Sequence, residues 1–185
     1  MKITDGEKLI LLMLSEIYEK LDVRGEICPK FIKEVVSSNN LWALPWKFPG
    51  IPFEDQETPE IVKEVLDILE MWSFIEYSYS QLNDEDKALL ETDATPFGKD
   101  PKFYGFDGNQ ETEYMGTASF VVNELDRFEE FKGRSFNSHC PSLDGHRRMF
   151  SVFKKVRENI SLDPISEKDL SKILMARRHP DKKMA

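Results

Sequence analysis

Apolar residues recur at helical spacing along most of the chain, and polar or Pro/Gly-rich breaks separate the periodic stretches. Thr4-Asp5-Gly6-Glu7 has the Thr-x-x-Glu pattern of a capping box. It predicts a helix of about 16 residues ending near Leu21-Asp22. Leu9 to Met13 and Leu14 are six apolar residues in a row, enough to make that helix greasy nearly all round. Such a helix either lies at the centre of a domain or pairs one face with another subunit. A second helix is expected over Pro29 to Ser38, with Phe31, Ile32, Val35 and Val36 inward. Thr58-Pro59-Glu60 supplies an N-cap, a proline at the first helical position and a carboxylate in the first turn. The helix it starts should reach Gln81, with Ile61, Val65, Ile68, Trp72, Ile75 and Tyr79 along one stripe. At the α-helical rise it would be roughly 30 Å long, a central strut. Shorter helices are expected over 83–91 and from Ser166 onward, and longer ones over 110–130 and 143–158. In the 110–130 helix, Tyr114, Ala118, Val121, Leu125 and Phe128 should face inward, as should Met149, Phe150, Phe153 and Val156 in the 143–158 helix. No strand alternation and no internal repeat is visible. The expected fold is all-α, an orthogonal bundle of six to seven helices with long irregular loops.

Two stretches break the pattern. From Leu41 to Phe53, three prolines and a glycine interrupt a run that is otherwise bulky and apolar. It reads as an irregular strap over the hydrophobic surface, with Trp42, Trp46, Phe48 and Phe53 as a candidate aromatic surface for a peptide or small molecule. As core-covering packing, the same residues need no ligand. The loop 92–101 is polar and rich in Pro and Gly, and it is the one internal position that reads as a boundary. A single helical domain over 1–175 followed by a basic, frayed tail over 176–185 is the simplest organisation.

Charge narrows the partners. The 185 residues carry 25 Lys and Arg against 34 Asp and Glu, a formal net charge of −9. Arg177, Arg178, Lys182 and Lys183 concentrate in the tail, so the rest is more acidic still. A body of that sign repels phosphate backbones, which argues against direct nucleic-acid binding. A chain of this length buries about 70% of its unfolded surface and needs neither disulfide nor metal to fold. The two cysteines, Cys28 and Cys140, form no metal-ligand spacing and read as buried or semi-buried free thiols in a reducing compartment. The Leu9–Leu14 run is too short to span a bilayer, and Asp5 and Glu7 are the wrong flank for a signal peptide. A cytoplasmic chain with no cofactor, no metal and no membrane partner is expected.

The order of motifs from Tyr104 to Phe153 resembles the YfbU family, a bacterial family of uncharacterised function. The resemblance is carried by Gly105-Phe106-Asp107, Glu113-Tyr114, Arg127-Phe128, Phe136-Asn137 and Arg148-Met149. Lys8-Leu9-Ile10-Leu11 and Leu66-Asp67-Ile68-Leu69-Glu70-Met71, with Tyr77 and Leu82, extend it to roughly residues 5–175. Thr117, His146 and Phe153 stand where the family tends to have aromatics, Trp in the last case. The resemblance implies an all-helical fold, a cytoplasmic location and self-association as a dimer or higher oligomer. Some relatives are joined to a helix-turn-helix segment, which implies a link to regulation. The resemblance supplies no catalytic residue.

The candidate polar site is Asp107, Glu111, Arg127, Asn137, His139 and Arg148. A hydrolytic site would need a His and carboxylates converging on one point, and His139 with Asp107 and Glu111 are the residues to provide it. Each also has a structural role available: Asp107 as a helix N-cap, Asn137 and His139 as hydrogen-bond partners of loop backbone. His146 reads as a helix-face residue and His179 as part of the tail. Nucleotide, dinucleotide, serine-hydrolase and zincin motifs are absent. The expected function is a non-catalytic interaction or regulatory domain that self-associates and has an unidentified protein or small-molecule partner. The alternatives are a hydrolase-like enzyme at His139, and a partner of a DNA-binding regulator.

Overall fold

In the computed structural model, which describes residues 2–54, 57–160 and 163–179, helices supply the regular structure. They are α1 (Asp5–Lys20), α2 (Pro29–Ser37), α3 (Leu44–Lys47), α4 (Glu60–Gln81), α5 (Asp84–Asp93), α6 (Thr112–Asn123), α7 (Leu143–Arg157) and α8 (Glu167–Met175). Among the described residues there is no strand, and the one extended pairing is an isolated parallel bridge between Phe106 and Asn137. The fold is all-α.

The chain packs as two compact units, Met1–Pro59 and Glu60–Ala185. The division falls at Pro59 and not in the 92–101 loop. That loop is tied down locally: Phe97 N–H and Gly98 N–H both donate to Ala94 O, and Arg178 donates to Thr95 O.

In the first unit, α1 starts where the capping box predicts. Thr4 Oγ1 accepts from Glu7 N–H at 3.2 Å, and the Glu7 carboxylate accepts from Thr4 N–H at 2.7 Å. The helix packs on α2, yet Ser15 is its one buried residue. It is therefore not a central helix. The unit's core comes from α2 and the strap: Phe31, Val35, Val36, Leu41, Trp42, Ala43 and Leu44 are all buried. The strap is less irregular than its prolines suggest. Leu41–Ala43 form a 3-10 turn, and Pro45 sits in the first turn of α3, where its missing N–H costs nothing. Trp42 packs edge-on against Trp46 and donates its indole N–H to Asn40 Oδ1 at 3.0 Å. Trp42 is thus packing, while Phe48 and Phe53 line an apolar groove of about 260 Å³ with Val35 and Leu44.

In the second unit, α4 is the strut, and α6, α7 and α8 pack against it. Val62, Val65, Ile68, Leu69, Met71, Trp72 and Ile75 form its buried side. Polar groups on the same helix fix the loops. Arg134 makes a two-pronged pair with Glu76 at 2.8 and 2.9 Å, and Glu76 Oε1 also accepts from Phe103 N–H. Buried Ser78 accepts from Ile165 N–H at 2.8 Å. The 110–130 helix of the periodicity reading is shorter than expected. It stops at Asn123, because Leu125 N–H turns back to Phe120 O and Asp126 takes a left-handed φ of 55°. Leu125 is still buried, from the turn. Tyr114 and Phe128 are half-buried, and Phe128 itself has a φ of 53°.

Candidate functional site

In the Gly105-Phe106-Asp107 motif, Phe106 forms the isolated bridge. Phe106 N–H donates to Phe136 O and Ser138 N–H to Phe106 O, both at 2.9 Å, so it pairs with the 136–138 loop. Asn137 seals this junction: its Oδ1 accepts from Gly108 N–H at 3.1 Å and from His139 N–H at 2.9 Å. Asp107 is buried, but it does not cap α6. Its Oδ1 accepts from Asn109 N–H at 3.0 Å, a tight turn two residues on.

Glu111 does the capping, for two segments at once. Oε2 accepts from Asp107 N–H at 2.8 Å, and Oε1 accepts from Ser142 N–H and Leu143 N–H at 2.9 Å each. The last two are first-turn donors of α7, which has no cap from its own Ser142 side chain. Ser142 Oγ lies 2.8 Å from Glu111 Oε2 and 2.9 Å from Gly105 O, its single proton serving one of them at a time. Burial alone would push the Glu111 carboxyl up. The backbone donors of Asp107, Leu143 and Ser142, with the Ser142 hydroxyl, outweigh it and hold the group below the usual carboxylate range. Glu111→Gln keeps an acceptor but loses the charge that these donors favour. We expect it to cost about 1–2 kcal/mol by chemical denaturation at pH 7.

His146 was missed by the sequence reading. It is fully buried in the first turns of α7. Trp72 donates its indole N–H to His146 Nδ1 at 3.0 Å, so Nδ1 must be unprotonated and Nε2 carries the hydrogen. That Nε2–H donates to Gly105 O at 3.0 Å. The ring stacks on Tyr104 at 4.6 Å and meets Trp72 and Phe106 edge-on. Burial pushes its pKa down to about 4. The resemblance carried one signal of this: an aromatic often stands at this position in that family.

The six candidate residues therefore divide. Asp107, Glu111 and Asn137 come together, as satisfiers of backbone. His139 is exposed with a left-handed φ of 57°, and its imidazole makes no hydrogen bond to Asp107 or Glu111. Arg127 is exposed at the end of the α6 turn. Arg148 is turned to the C-terminal segment, in a cleft that Glu111 also lines. Both oxygens of Glu111 are engaged by main-chain donors, so the carboxylate a hydrolytic pair would need is held in a structural role. Among the described residues no group of three or more His, Cys, Asp or Glu is placed to hold a metal ion. Cys28 and Cys140 are free thiols as expected, but exposed, not buried or semi-buried.

A sequence model of the YfbU domain matches residues 1–176. The chain belongs to the YfbU family. It is also similar to the UPF0304 protein MJECS11 of Methanocaldococcus jannaschii, at 34% identity over 95 residues. That stretch is 49% of this chain and 53% of the relative, so the chain spans about half the length of the curated relative it matches.

In this YfbU protein a cleft of about 680 Å³ lies beside the start of α7; Pro96, Phe97, Arg177 and Arg178 line it and His139 does not. The segment 176–178 had been expected to fray. Instead Arg148 Nε and Nη2 donate to Ala176 O at 3.2 Å and Arg177 O at 2.6 Å, and Arg177 lies over the Tyr104 ring at 3.6 Å. Lys182 and Lys183 lie outside the described residues. Tyr104 Oη is shielded from solvent and has no hydrogen-bond partner among the described residues. Burial pushes its pKa up to about 12, against the opposing pull of Arg177.

Proposed function

We propose that this YfbU chain is a non-catalytic interaction domain that joins a second copy of itself through the outer face of α1. The observation that carries this reading is the exposure of that face. Leu9, Ile10, Met13, Leu14, Ile17 and the adjoining Leu21 are each between 51% and 70% exposed. Isolated exposed apolar residues are ordinary, but six on one helix are not. Ile10, Leu14, Ile17 and Leu21 are spaced by four, three and four residues, which is the seam of a helix pair.

A second copy fits this face better than an unrelated partner. An antiparallel two-fold pair would set the two α1 dipoles in opposition. Stable interfaces hide about 800 Å² per partner. The seam runs about 18 Å along α1, and Ile27 widens it beside Leu14 in an apolar groove of about 240 Å³. The first unit also has a small core of its own, and small units gain most from burial against a partner.

No helix of the described residues is long and apolar enough to cross a membrane. Two exposed free thiols suit a reducing compartment, which supports a cytoplasmic location. Sedimentation velocity at micromolar concentration tests the association. The wild type should run as a dimer. Ile10→Glu with Ile17→Glu should run as a monomer with unchanged far-UV circular dichroism, its dimer constant weakened more than 100-fold. A monomeric wild type, or a variant that still dimerises, would end the proposal.

A further inference from the structure

The cleft beside α7 is built from arginines that have no acid. Arg148, Arg177 and Arg178 all line it. Among the described residues none of the three pairs with a carboxylate, although acidic residues outnumber basic ones by 34 to 25 in the chain. The carboxylates that share the cleft are committed elsewhere. Glu111 is held by main-chain donors, and Asp144 faces Arg147 at 3.6 Å.

The most telling of the three is Arg177. Its guanidinium is held by its faces, 3.6 Å from the Tyr104 ring and 4.9 Å from the Phe97 ring. A guanidinium gripped this way keeps its N–H donors at its rim, where they match the two oxygens of a phosphate or carboxylate. Arg148 is fixed by two carbonyls through Nε and Nη2, which leaves Nη1 uncommitted. Beneath Arg177 lies the unpartnered Tyr104 hydroxyl. Gly145 packs against both: a Cβ there would stand 3.5 Å from Tyr104 Oη and from Arg177 Cγ. A buried polar group left without a partner is costly, and an arriving acceptor would relieve it.

We propose that this cleft is a binding site for a small ligand carrying a phosphate or carboxylate group, with Arg177 as its principal contact and Arg148 and Arg178 alongside. At about 680 Å³ the cleft is of ordinary small-ligand size. The net charge of −9 repels anions at long range, so selectivity must come from local geometry and not from steering. The site lies wholly in the second unit. It would give an interaction domain a small-molecule input, and it stands or falls independently of pairing through α1.

The test is titration of the full chain with inorganic phosphate and, separately, with succinate, followed by amide chemical shifts at constant ionic strength set with sodium chloride. Saturable shifts centred on Tyr104, Gly145 and Arg177, with millimolar affinity, are expected for at least one probe. Phosphate alone would point to a phosphorylated ligand, succinate alone to a carboxylate one, and both to an oxyanion site without that distinction. Arg177→Ala should weaken binding at least tenfold, and Arg177→Lys should recover only part of it. If Arg177→Ala perturbs the fold, Arg178→Ala, whose side chain makes one hydrogen bond to a loop carbonyl, should weaken binding about threefold. No saturable shift with either probe at 50 mM or so, or shifts scattered over the surface, would overturn the site.

Discussion

Gly105→Ala is expected to lower the stability of the second unit by about 3–5 kcal/mol, one of the largest effects available from adding a single methyl group to this chain. Two causes act together. Gly105 has a φ of +80°, a region where any L-residue with a side chain is strained by about 1–2 kcal/mol. A Cβ built there would also stand 2.2 Å from Phe136 O and 2.9 Å from Phe136 Cα. Those atoms are backbone and cannot rotate away. They also belong to the pairing in which Phe106 N–H meets Phe136 O, so relief requires opening that junction. Gly105 O would move with it, and that carbonyl receives the His146 Nε2–H. Gly116→Ala is the matched control: its Cβ meets nothing within 4 Å, and the residue lies inside α6, where Ala is favoured over Gly by about 0.5–1 kcal/mol. Thermal denaturation should separate the pair, with Gly105→Ala melting roughly 10 °C below wild type and Gly116→Ala at or above it. Equal midpoints for wild type and Gly105→Ala would mean that the 105–136 contact is not built as described.

The contrast between these two glycines also explains which parts of the molecule could be read from sequence. Local signals were legible. The Thr4–Glu7 box, the Thr58-Pro59-Glu60 start and the stripe from Val65 to Ile75 each act within a few turns, and the elements they predict are present. What depends on distant partners was not legible. Nothing near Asn123 announces that α6 stops there; Asp126 and Phe128 turn left-handed to deliver Phe131 to the core. Six apolar residues in a row on α1 report only that burial is wanted, not by what, and the helix ends up with an exposed face. His146 sits between Gly145 and Arg147 in a polar stretch, so its neighbours point to a surface. Its burial is set by Trp72, 74 residues away. Asp107, Glu111 and Asn137 lie together around one junction. Their chemistry was not deducible, because whether a carboxylate is free or engaged depends on donors contributed by α7. Arg177 and Arg178 show the converse: a basic run near the end of a chain reads as solvated unless one knows that Tyr104 and Phe97 lie beneath it.

The second large effect is a loss of stability in mild acid traceable to His146. In the folded chain the imidazole is buried and its pKa is pushed down to about 4, against an ordinary value of 6.5. Protonation is resisted twice over. A charged ring would be desolvated, and the proton would have to go on Nδ1, which already accepts the Trp72 indole hydrogen. Between these two pKa values the unfolded chain binds a proton that the folded chain refuses. Stability therefore rises with pH across this window and falls as pH drops from 6.5 toward 4, by about 3 kcal/mol in total. Below pH 4 both states are protonated and this contribution levels off. Glu7, Glu64, Glu111 and Asp169, all held below their usual values, lose their own contributions only at lower pH, below about 4.5. Asp67 and Glu167, pushed up by burial, act in the opposite sense as pH falls, so the histidine is read from the difference between the wild type and a variant that lacks it. Chemical denaturation at pH 7, 6 and 5 should show the unfolding free energy falling stepwise in the wild type. His146→Phe should be less stable at pH 7, since it strands the Trp72 N–H and removes one donor to Gly105 O, but its stability should be nearly flat over the same interval. Parallel pH profiles for the two proteins would mean that His146 is not buried as a neutral ring, and the packing of α4 against α7 would have to be redrawn around it.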